Sequence, residues 1–397
     1  MMRRRAVLNG LATVILLGLT AACGIGADTP PVDGYDIAGA PQYPLFDHTL
    51  TWTGTDVIVV GGAGGDPTDG ELVDEPLIWN PNEGVRPITS PPGPPLNRHT
   101  AVWTGEELIV WSGTTVPFGV GDGLVASTAA YDPDSDTWRE LAGSPMEVAR
   151  VRGRGAAFAD HIIVTGGSTP QSDNEGTIGV YDLESDSWAT TAVDGDALTT
   201  VATGNATYVL WADRQSTVRL SQLDVESATL TEIPLPDLPE GADRSNAVVA
   251  DGRLIVWAEA SPPETGVRSD ELVTVLVLDD DRALAADPTR PAAWRELVVQ
   301  VDFPGSATGF SEVRPLVHTD DWLAFMEGAE LKWIRIADGL EIRRTLTTPQ
   351  SCAFNTEAVG TPSVIVAWGG NCSRFDDDGN EQQIVEHFVF EPPAVDE

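Results

Sequence analysis

The stretch at residues 98–113 reads RHTAVWTGEELIVWSG, and residues 130–141 continue the pattern as AYDPDSDTWREL. In the first part a half-apolar run meets a polar turn at Thr104-Gly105, and a second apolar run ends at small residues. The second part adds a third apolar run, a tight polar turn and a fourth run that opens on Trp138. Short apolar runs separated by turn residues predict four antiparallel strands in one unit.

The same unit recurs along the chain with a period near fifty residues. Its second strands are predicted to start at apolar runs beginning at Val57, Leu108, Ile162, Tyr208, Leu254, Trp322 and Val364. The gaps between these starts are 51, 54, 46, 46, 68 and 42 residues. The gap of 68 is explained by a surface insertion around residues 280–291. Units of four short strands repeated at this period are typical of a β-propeller.

The unit also resembles a kelch repeat. The marks of that repeat are a double glycine, a Tyr-Asp pair and a Trp six residues after the Asp, and they stand here at Gly61-Gly62, Gly166-Gly167, Tyr131-Asp132, Tyr181-Asp182, Trp138 and Trp188. The resemblance covers residues 35–391 and implies an all-β, kelch-type β-propeller, like those of the kelch and galactose oxidase proteins. We expect Trp138, Trp188 and Trp294 to pack between blades.

Seven second strands predict seven blades. Six blades are the alternative, because the sixth unit, at residues 321–328, has no double glycine. The last unit has a third strand at residues 384–390 and then ends without a fourth. We expect the N-terminal segment, residues 35–41, to supply that strand and to close the ring, which removes an open sheet edge.

The composition bounds the class of protein. The 397 residues include 61 Asp and Glu against 23 Lys and Arg, a net charge of −38, which argues against binding to nucleic acid because phosphates would be repelled. Apolar residues make up 42% of the chain, enough for a sizeable core. The 39 Gly and 29 Pro residues indicate many turns and few long helices.

The first 22 residues are interpreted as a signal peptide. Three arginines at residues 3–5 precede an apolar run at residues 6–22, which is short for a membrane span. The sequence Leu19-Thr20-Ala21-Ala22-Cys23 resembles a bacterial lipobox, which implies cleavage before Cys23 and acylation of that residue. Residues 23–34 would then form a lipidated flexible tether, and residues 392–397 a tail.

We therefore expect an exported protein that is held at the outer face of the cytoplasmic membrane by its lipid anchor alone. An uncleaved N-terminal anchor is the alternative, and both general and twin-arginine export stay open. With Cys23 assigned to lipid, Cys352 and Cys372 remain in an oxidising compartment, where they are predicted to form a disulfide. Two free thiols are the alternative.

Five arginines mark a candidate ligand face. In a propeller, the loops that precede the innermost strands surround one mouth of the central channel. Arg98 and Arg244 occupy equivalent places in their units, and Arg152, Arg154 and Arg314 lie close to that position in theirs. Guanidinium groups bind carboxylates through paired hydrogen bonds, and kelch domains that this chain resembles often bind acidic ligands or peptides there. The alternative is that each arginine pairs with a neighbouring Asp or Glu.

The sequence gives little support to an enzyme. It contains no Gly-x-Ser-x-Gly elbow, no phosphate loop and no sialidase-type Asp box. A resemblance to galactose oxidase would imply two Tyr, two His and a cross-linking Cys around copper. The five Tyr are largely explained by the repeat, and the five His show no metal-ligand spacing. Acidic runs at residues 132–136 and 376–381 are interpreted as solvated turns rather than calcium sites.

These observations predict a non-catalytic binding or scaffold module for a protein or a small acidic or carbohydrate ligand. No catalytic residue, metal or cofactor is predicted, and a monomer is expected. The alternative is a carbohydrate-active propeller enzyme, such as a sugar oxidase or a sialic-acid mutarotase, whose site is assembled from distant loops. A purely structural envelope protein is a third possibility.

Overall fold

The computed structural model describes the chain from residue 34 to residue 394 in fifteen segments. They are residues 34–41, 43, 45–64, 70–117, 123–145, 149–169, 176–238, 245–259, 271–301, 317–327, 330–345, 357–369, 372–375, 381–384 and 387–394. Strands joined by turns make up most of these segments, as the Gly and Pro content predicts.

The strands follow each other in groups along the chain. The first group is β1 (Gly34–Asp36), β2 (Leu45–Phe46), β3 (Thr49–Trp52), β4 (Val57–Val60), β5 (Ala63–Gly64), β6 (Glu71–Leu72), β7 (Leu77–Asn80) and β8 (Gly84–Pro87). The next two are β9 (Thr100–Trp103), β10 (Leu108–Trp111), β11 (Thr128–Asp132) and β12 (Thr137–Leu141), then β13 (Arg154–Phe158), β14 (His161–Thr165), β15 (Thr177–Asp182) and β16 (Ser187–Ala192).

The second half of the chain continues in the same way. The fourth group is β17 (Gly195–Ala202), β18 (Thr207–Asp213), β19 (Val218–Asp224) and β20 (Thr229–Ile233). The fifth is β21 (Asn246–Ala250), β22 (Arg253–Glu259), β23 (Glu271–Leu278), the helix α1 (Arg282–Ala286) and β24 (Arg295–Val301). The last two are β25 (Val317–His318), β26 (Trp322–Glu327), β27 (Glu330–Arg335) and β28 (Glu341–Thr345), then β29 (Glu357–Gly360), β30 (Ile365–Trp368), β31 (Cys372–Phe375), β32 (Glu381–Ile384) and β33 (Phe388–Phe390).

These strands build seven four-stranded antiparallel sheets within the described residues, numbered here in chain order. Sheet 1 is β3-β4-β7-β8, sheets 2 to 6 each take four consecutive strands from β9 to β28, and sheet 7 is β29-β30-β33-β1. In sheet 7, β1 pairs with β33, with Tyr35 opposite Val389. First strands of neighbouring sheets lie close together, including β3 beside β9, β9 beside β13, and β29 beside β3.

The core lies between the sheets. One cluster joins Ile58 and Val110, and so sheets 1 and 2, and Trp138 packs against it. Trp188 packs into the equivalent cluster of sheets 2 and 3, and Trp294 into that of sheets 4 and 5. The three tryptophans therefore pack between neighbouring sheets, as predicted. A fully buried aliphatic side chain in these clusters, such as Ile58, contributes about 1.5–3 kcal/mol.

The polar turn before Trp138 forms hydrogen bonds between sheet 2 and the chain that leaves sheet 1. The Asp136 carboxylate accepts hydrogen bonds from the Tyr131 hydroxyl (2.9 Å) and from the backbone N–H of Thr89 (3.0 Å). The Trp138 indole N–H donates to the Thr89 carbonyl oxygen at 2.7 Å. Because Thr89 follows β8, Asp136 and the Trp138 mark connect sheet 2 to the chain that leaves sheet 1, and Tyr131 of the Tyr-Asp mark binds Asp136.

Two details refine the strand boundaries predicted from the sequence. The third strand of the last unit starts at Phe388, because Ile384 ends a separate hairpin of β31 and β32. The predicted insertion in the fifth unit lies between β23 and β24 and contains α1.

Residues 1–33, including Cys23, lie outside the described residues, as does Cys352, so the lipid anchor and the disulfide stay predictions. In the part of the chain that the structure describes, no helix is long and apolar enough to cross a membrane.

Candidate functional site

The candidate site lies where the chain enters the first strands of sheets 1, 2 and 3. Asp47, Arg98 and Arg152 occupy the same place in three successive units, and all three have positive φ angles of 55°, 53° and 56°. The backbone N–H of Arg98 donates to the Asp47 carbonyl oxygen (2.8 Å), and that of Arg152 donates to the Arg98 carbonyl oxygen (2.7 Å). This backbone ladder brings three equivalent side chains to one edge, which we call the arginine edge.

Both arginines of the arginine edge bind the same carboxylate. Arg98 Nε lies 2.9 Å from Asp47 Oδ2, and Arg152 Nη2 lies 2.7 Å from Asp47 Oδ1. The side chains of Arg98 and Asp47 are only 13% and 14% exposed, whereas that of Arg152 is 57% exposed. The two arginines thus converge, and they also pair with an acidic neighbour. Two guanidinium groups therefore share the Asp47 carboxylate, and the Arg152 end of the cluster is open to solvent.

The other three predicted arginines are distributed differently. Arg154 is the first residue of β13, two residues after Arg152, and its side chain is exposed. It has no ion-pair partner among the residues that the structure describes. Arg244 and Arg314 lie outside the described residues.

Buried histidines lie directly behind the arginine edge. His48 and His99 each follow a residue of the ladder and are 3% exposed. Each ring packs against a glycine of the preceding sheet: a methyl group added at Gly369 would lie 2.8 Å from Cε1 of His48, and one added at Gly61 would lie 2.8 Å from Cε1 of His99. The repetition of His48 and His99, visible in the sequence, therefore reflects a packing position under the glycines.

Burial keeps these histidines neutral. It lowers the pKa of His99 to about 4. For His48, burial together with the neighbouring His387 and His99 lowers the pKa to about 3. His387 lies in the same layer, where its Nδ1 accepts from the Gly369 N–H (3.1 Å) and its Nε2 donates to the Pro41 carbonyl oxygen (2.9 Å). The positive charge at this edge therefore comes from the arginines, not from the histidines.

The residues described here do not form a metal centre. Among them, no group of three or more His, Cys, Asp or Glu side chains is arranged to hold a metal ion. Three of the five tyrosines are also engaged, because the hydroxyls of Tyr131, Tyr181 and Tyr208 donate to the carboxylates of Asp136, Asp186 and Asp281. The donor set of a copper-radical oxidase does not fit these residues.

Sequence reasoning did not single out Asp47, which organises the site. Aligning Asp47-His48-Thr49 with Arg98-His99-Thr100 would have placed it beside Arg98, because the His-Thr pair is shared. The opposite charge at the equivalent position concealed the relationship. Arg150, which is 3% exposed and donates from Nη1 to the Ala149 carbonyl oxygen at 2.8 Å, was also missed, because a buried arginine leaves no sequence pattern.

The fold defined by these sheets is β-propeller-like and of the kelch and galactose oxidase type. No protein family matches the chain by sequence, and no curated protein matches it. Among solved structures, the chain is similar to a fungal alcohol oxidase of the AA5 family in complex with copper. The similarity has a TM-score of 0.57 at 15% identity and covers 89% of this chain and 75% of the oxidase. At this identity the likeness concerns the fold.

Proposed function

We propose that the chain is a seven-bladed propeller, closed by its N-terminal strand, that binds an acidic ligand or an acidic protein segment at the arginine edge. Seven four-stranded sheets in chain order support the blade count. Closure is supported by the pairing of β1 with β33 and by the position of β29 beside β3. Such a ring is a rigid frame on which loops carry recognition.

The convergence of Arg98 and Arg152 on Asp47 carries the binding proposal. In a chain of net charge −38, the arginine edge brings two guanidinium groups together, which is the residue type that binds carboxylates through paired hydrogen bonds. A ligand carboxylate can bind Arg152 from the solvent side, since its side chain is 57% exposed. Asp47 holds both guanidinium groups in place beforehand, which reduces the entropy lost when a ligand binds.

The location proposed for this module comes from the N-terminal sequence. Acylation at Cys23 would hold the ring outside the cytoplasmic membrane, where its partner would be another envelope component. Mass spectrometry of the mature N-terminus should find a diacyl or triacyl group on Cys23. An intact Met1 on the mature protein would contradict the anchor.

Cross-linking in the native envelope tests the binding face. We expect wild-type protein to capture a partner and Arg152→Glu to reduce the capture at least tenfold. Arg282→Glu is the matched control, because Arg282 is also exposed and paired with one aspartate, Asp280 at 3.0 Å, but lies at the opposite ends of the strands. Equal capture by wild type and Arg152→Glu would remove the arginine edge from the proposal.

A carbohydrate-active enzyme is the second candidate, and the likeness to the AA5 alcohol oxidase is the observation in its favour. The tyrosines bound to aspartates count against copper chemistry of that kind. Purified protein should therefore take up no stoichiometric copper and release no hydrogen peroxide from sugars or alcohols. Copper at one equivalent, together with turnover, would favour the oxidase.

A further inference from the structure

A second candidate site lies between sheets 1 and 2, behind the arginine edge. A cavity of about 260 Å³ opens there, beneath the connecting segment of residues 91–96. Its walls are mostly apolar and include Val60, Val110 and Leu141. Five prolines line it as well, at residues 76, 91, 92, 94 and 95. Prolines fix the backbone of the covering segment, so the cavity is shaped before any ligand arrives.

Two buried polar atoms in this cavity, Thr128 Oγ1 and His99 Nδ1, have no hydrogen-bond partner among the described residues. His99 lines the cavity and is 3% exposed. Its Nε2 lies 2.8 Å from Thr49 Oγ1, whereas its Nδ1 has no hydrogen-bond partner among the described residues. An unpaired polar atom at this depth is costly, which a ligand group at the right place would relieve.

The rim of the cavity carries two carboxylates. Asp74 and Glu140 both line the cavity, and both are exposed. Neither has an ion-pair partner among the residues that the structure describes. The rim is therefore negative, while the wall below it is apolar and ends at a neutral imidazole.

We propose that this cavity binds a small organic cation, with its apolar body against Val60, Val110 and Leu141 and its ammonium group donating to His99 Nδ1, while the negative rim of Asp74 and Glu140 attracts the charge. An ammonium group only donates hydrogen bonds, so His99 Nδ1 must accept. The ring then carries its proton on Nε2, which donates to Thr49 Oγ1. Binding therefore selects one tautomer of His99, a readout that a purely structural histidine would not give.

Calorimetric titration of the full-length chain at pH 7 tests the ligand class. The probes are 2-phenylethylamine, the neutral 2-phenylethanol and the anionic 3-phenylpropanoate, which share one apolar body. We expect saturable binding of the amine, at least tenfold weaker binding of the alcohol, and none of the anion. The proposal is overturned by equal binding of the alcohol, or by no saturation at about 10 mM amine.

Substitutions then locate the site. Glu140→Gln and Asp74→Asn keep shape and remove one exposed charge each, so each should weaken amine binding about threefold to fivefold. Ala129→Leu should reduce binding more than tenfold, because Ala129 lines the cavity on the face of β11 that Tyr131 presents to sheet 1. Wild-type affinity in Glu140→Gln and Asp74→Asn, which are exposed changes that leave folding intact, would overturn the site.

Two further measurements separate this site from others. Nitrogen NMR of His99 should show Nδ1 as an unprotonated acceptor once the amine is bound, and a protonated Nδ1 would contradict the contact. Arg152→Glu should leave amine binding unchanged, since Arg152 does not line the cavity. The cavity proposal therefore succeeds or fails independently of the arginine edge.

Discussion

Tyr208, on the second strand of sheet 4, donates a 2.8 Å hydrogen bond to Asp281, which precedes the helix in the sheet 5 insertion. The same carboxylate accepts from Thr203 and from Asn205, each at 2.5 Å, and Asp281 is 1% exposed. The insertion thus reaches back to the neighbouring sheet and satisfies three donors at once. It replaces the Tyr-Asp contact that sheets 2 and 3 make within one unit.

Removing this carboxylate should destabilise the fold strongly. Asp281→Ala leaves the buried Tyr208 hydroxyl without an acceptor, and it removes one of the two acceptors of Thr203 and the partner of the exposed Asn205 amide, so we expect the free energy of unfolding to fall by about 2 kcal/mol. Urea denaturation measures the change. Asp280→Ala, at an exposed neighbour paired only with Arg282, is the control and should change it by less than about 0.5 kcal/mol. Equal effects of the two substitutions would show that the network contributes little.

Much of the architecture could be predicted from the sequence because its causes are local. Apolar alternation and turn residues fixed the second strands, which start within one residue of the predicted positions. The Trp positions followed from the repeat. The sixth unit, which has no double glycine, still forms the four strands of sheet 6. In that unit the apolar pattern was sufficient to predict the second strand without a double glycine.

The site could be predicted only in part, because its key contacts join distant residues. Asp47 and Arg98 are 51 residues apart, and Tyr208 and Asp281 are 73 apart. No local pattern marks either pair. Repeat alignment brings Asp47, Arg98 and Arg152 to one edge, but the contacts between their side chains depend on packing across sheets.

Gly369, which packs against the His48 ring, should tolerate no side chain. Gly369 has φ +76°, and a methyl group there would lie 2.6 Å from the Leu45 carbonyl oxygen and 2.8 Å from His48 Cε1. Gly369→Ala should therefore cost about 3 kcal/mol of unfolding free energy, from backbone strain and overpacking together.

Gly54→Ala separates the two causes. Gly54 has φ +102°, and nothing lies within 4 Å of an added methyl group. Only backbone strain remains, so about 1–2 kcal/mol is expected in the same urea experiment. If both substitutions cost the same, the glycine does not serve the contact with His48.

The buried histidines predict a loss of stability at acidic pH. Folding lowers the pKa of His99 to about 4, whereas the unfolded chain has about 6.5. Because the pKa of His99 is lower in the folded chain, the unfolded chain binds a proton at this residue between pH 6.5 and pH 4, whereas the folded chain does not. The resulting stability is complete above pH 6.5 and is lost progressively as pH falls toward 4.

The variant His99→Gln isolates this contribution. Between pH 6 and pH 5 its unfolding free energy should fall less steeply than that of the wild type, by up to about 1.4 kcal/mol per pH unit, the value for one proton. Glutamine keeps a polar group toward Thr49. Chemical denaturation at each pH gives the slopes, and identical slopes would mean that His99 titrates alike in both states. Aspartates whose pKa is lowered, such as Asp136 and Asp186, contribute only below about pH 4 and do not disturb the comparison.

The proposed closure of the ring predicts an unequal effect of two N-terminal deletions. Gly34, Tyr35 and Asp36 form β1 and pair with Phe390, Val389 and Phe388 of β33. Deleting residues 24–36 removes this strand and leaves β33 as the edge of a three-stranded sheet, which exposes backbone groups of β33 and favours association between molecules. Deleting residues 24–33 leaves β1 in place. We expect the longer deletion to lower the thermal midpoint by several degrees and to produce oligomers in size-exclusion chromatography, while the shorter deletion does neither. If both deletions unfold alike and stay monomeric, β1 does not contribute to a closed propeller, and the seventh sheet is stable with three strands.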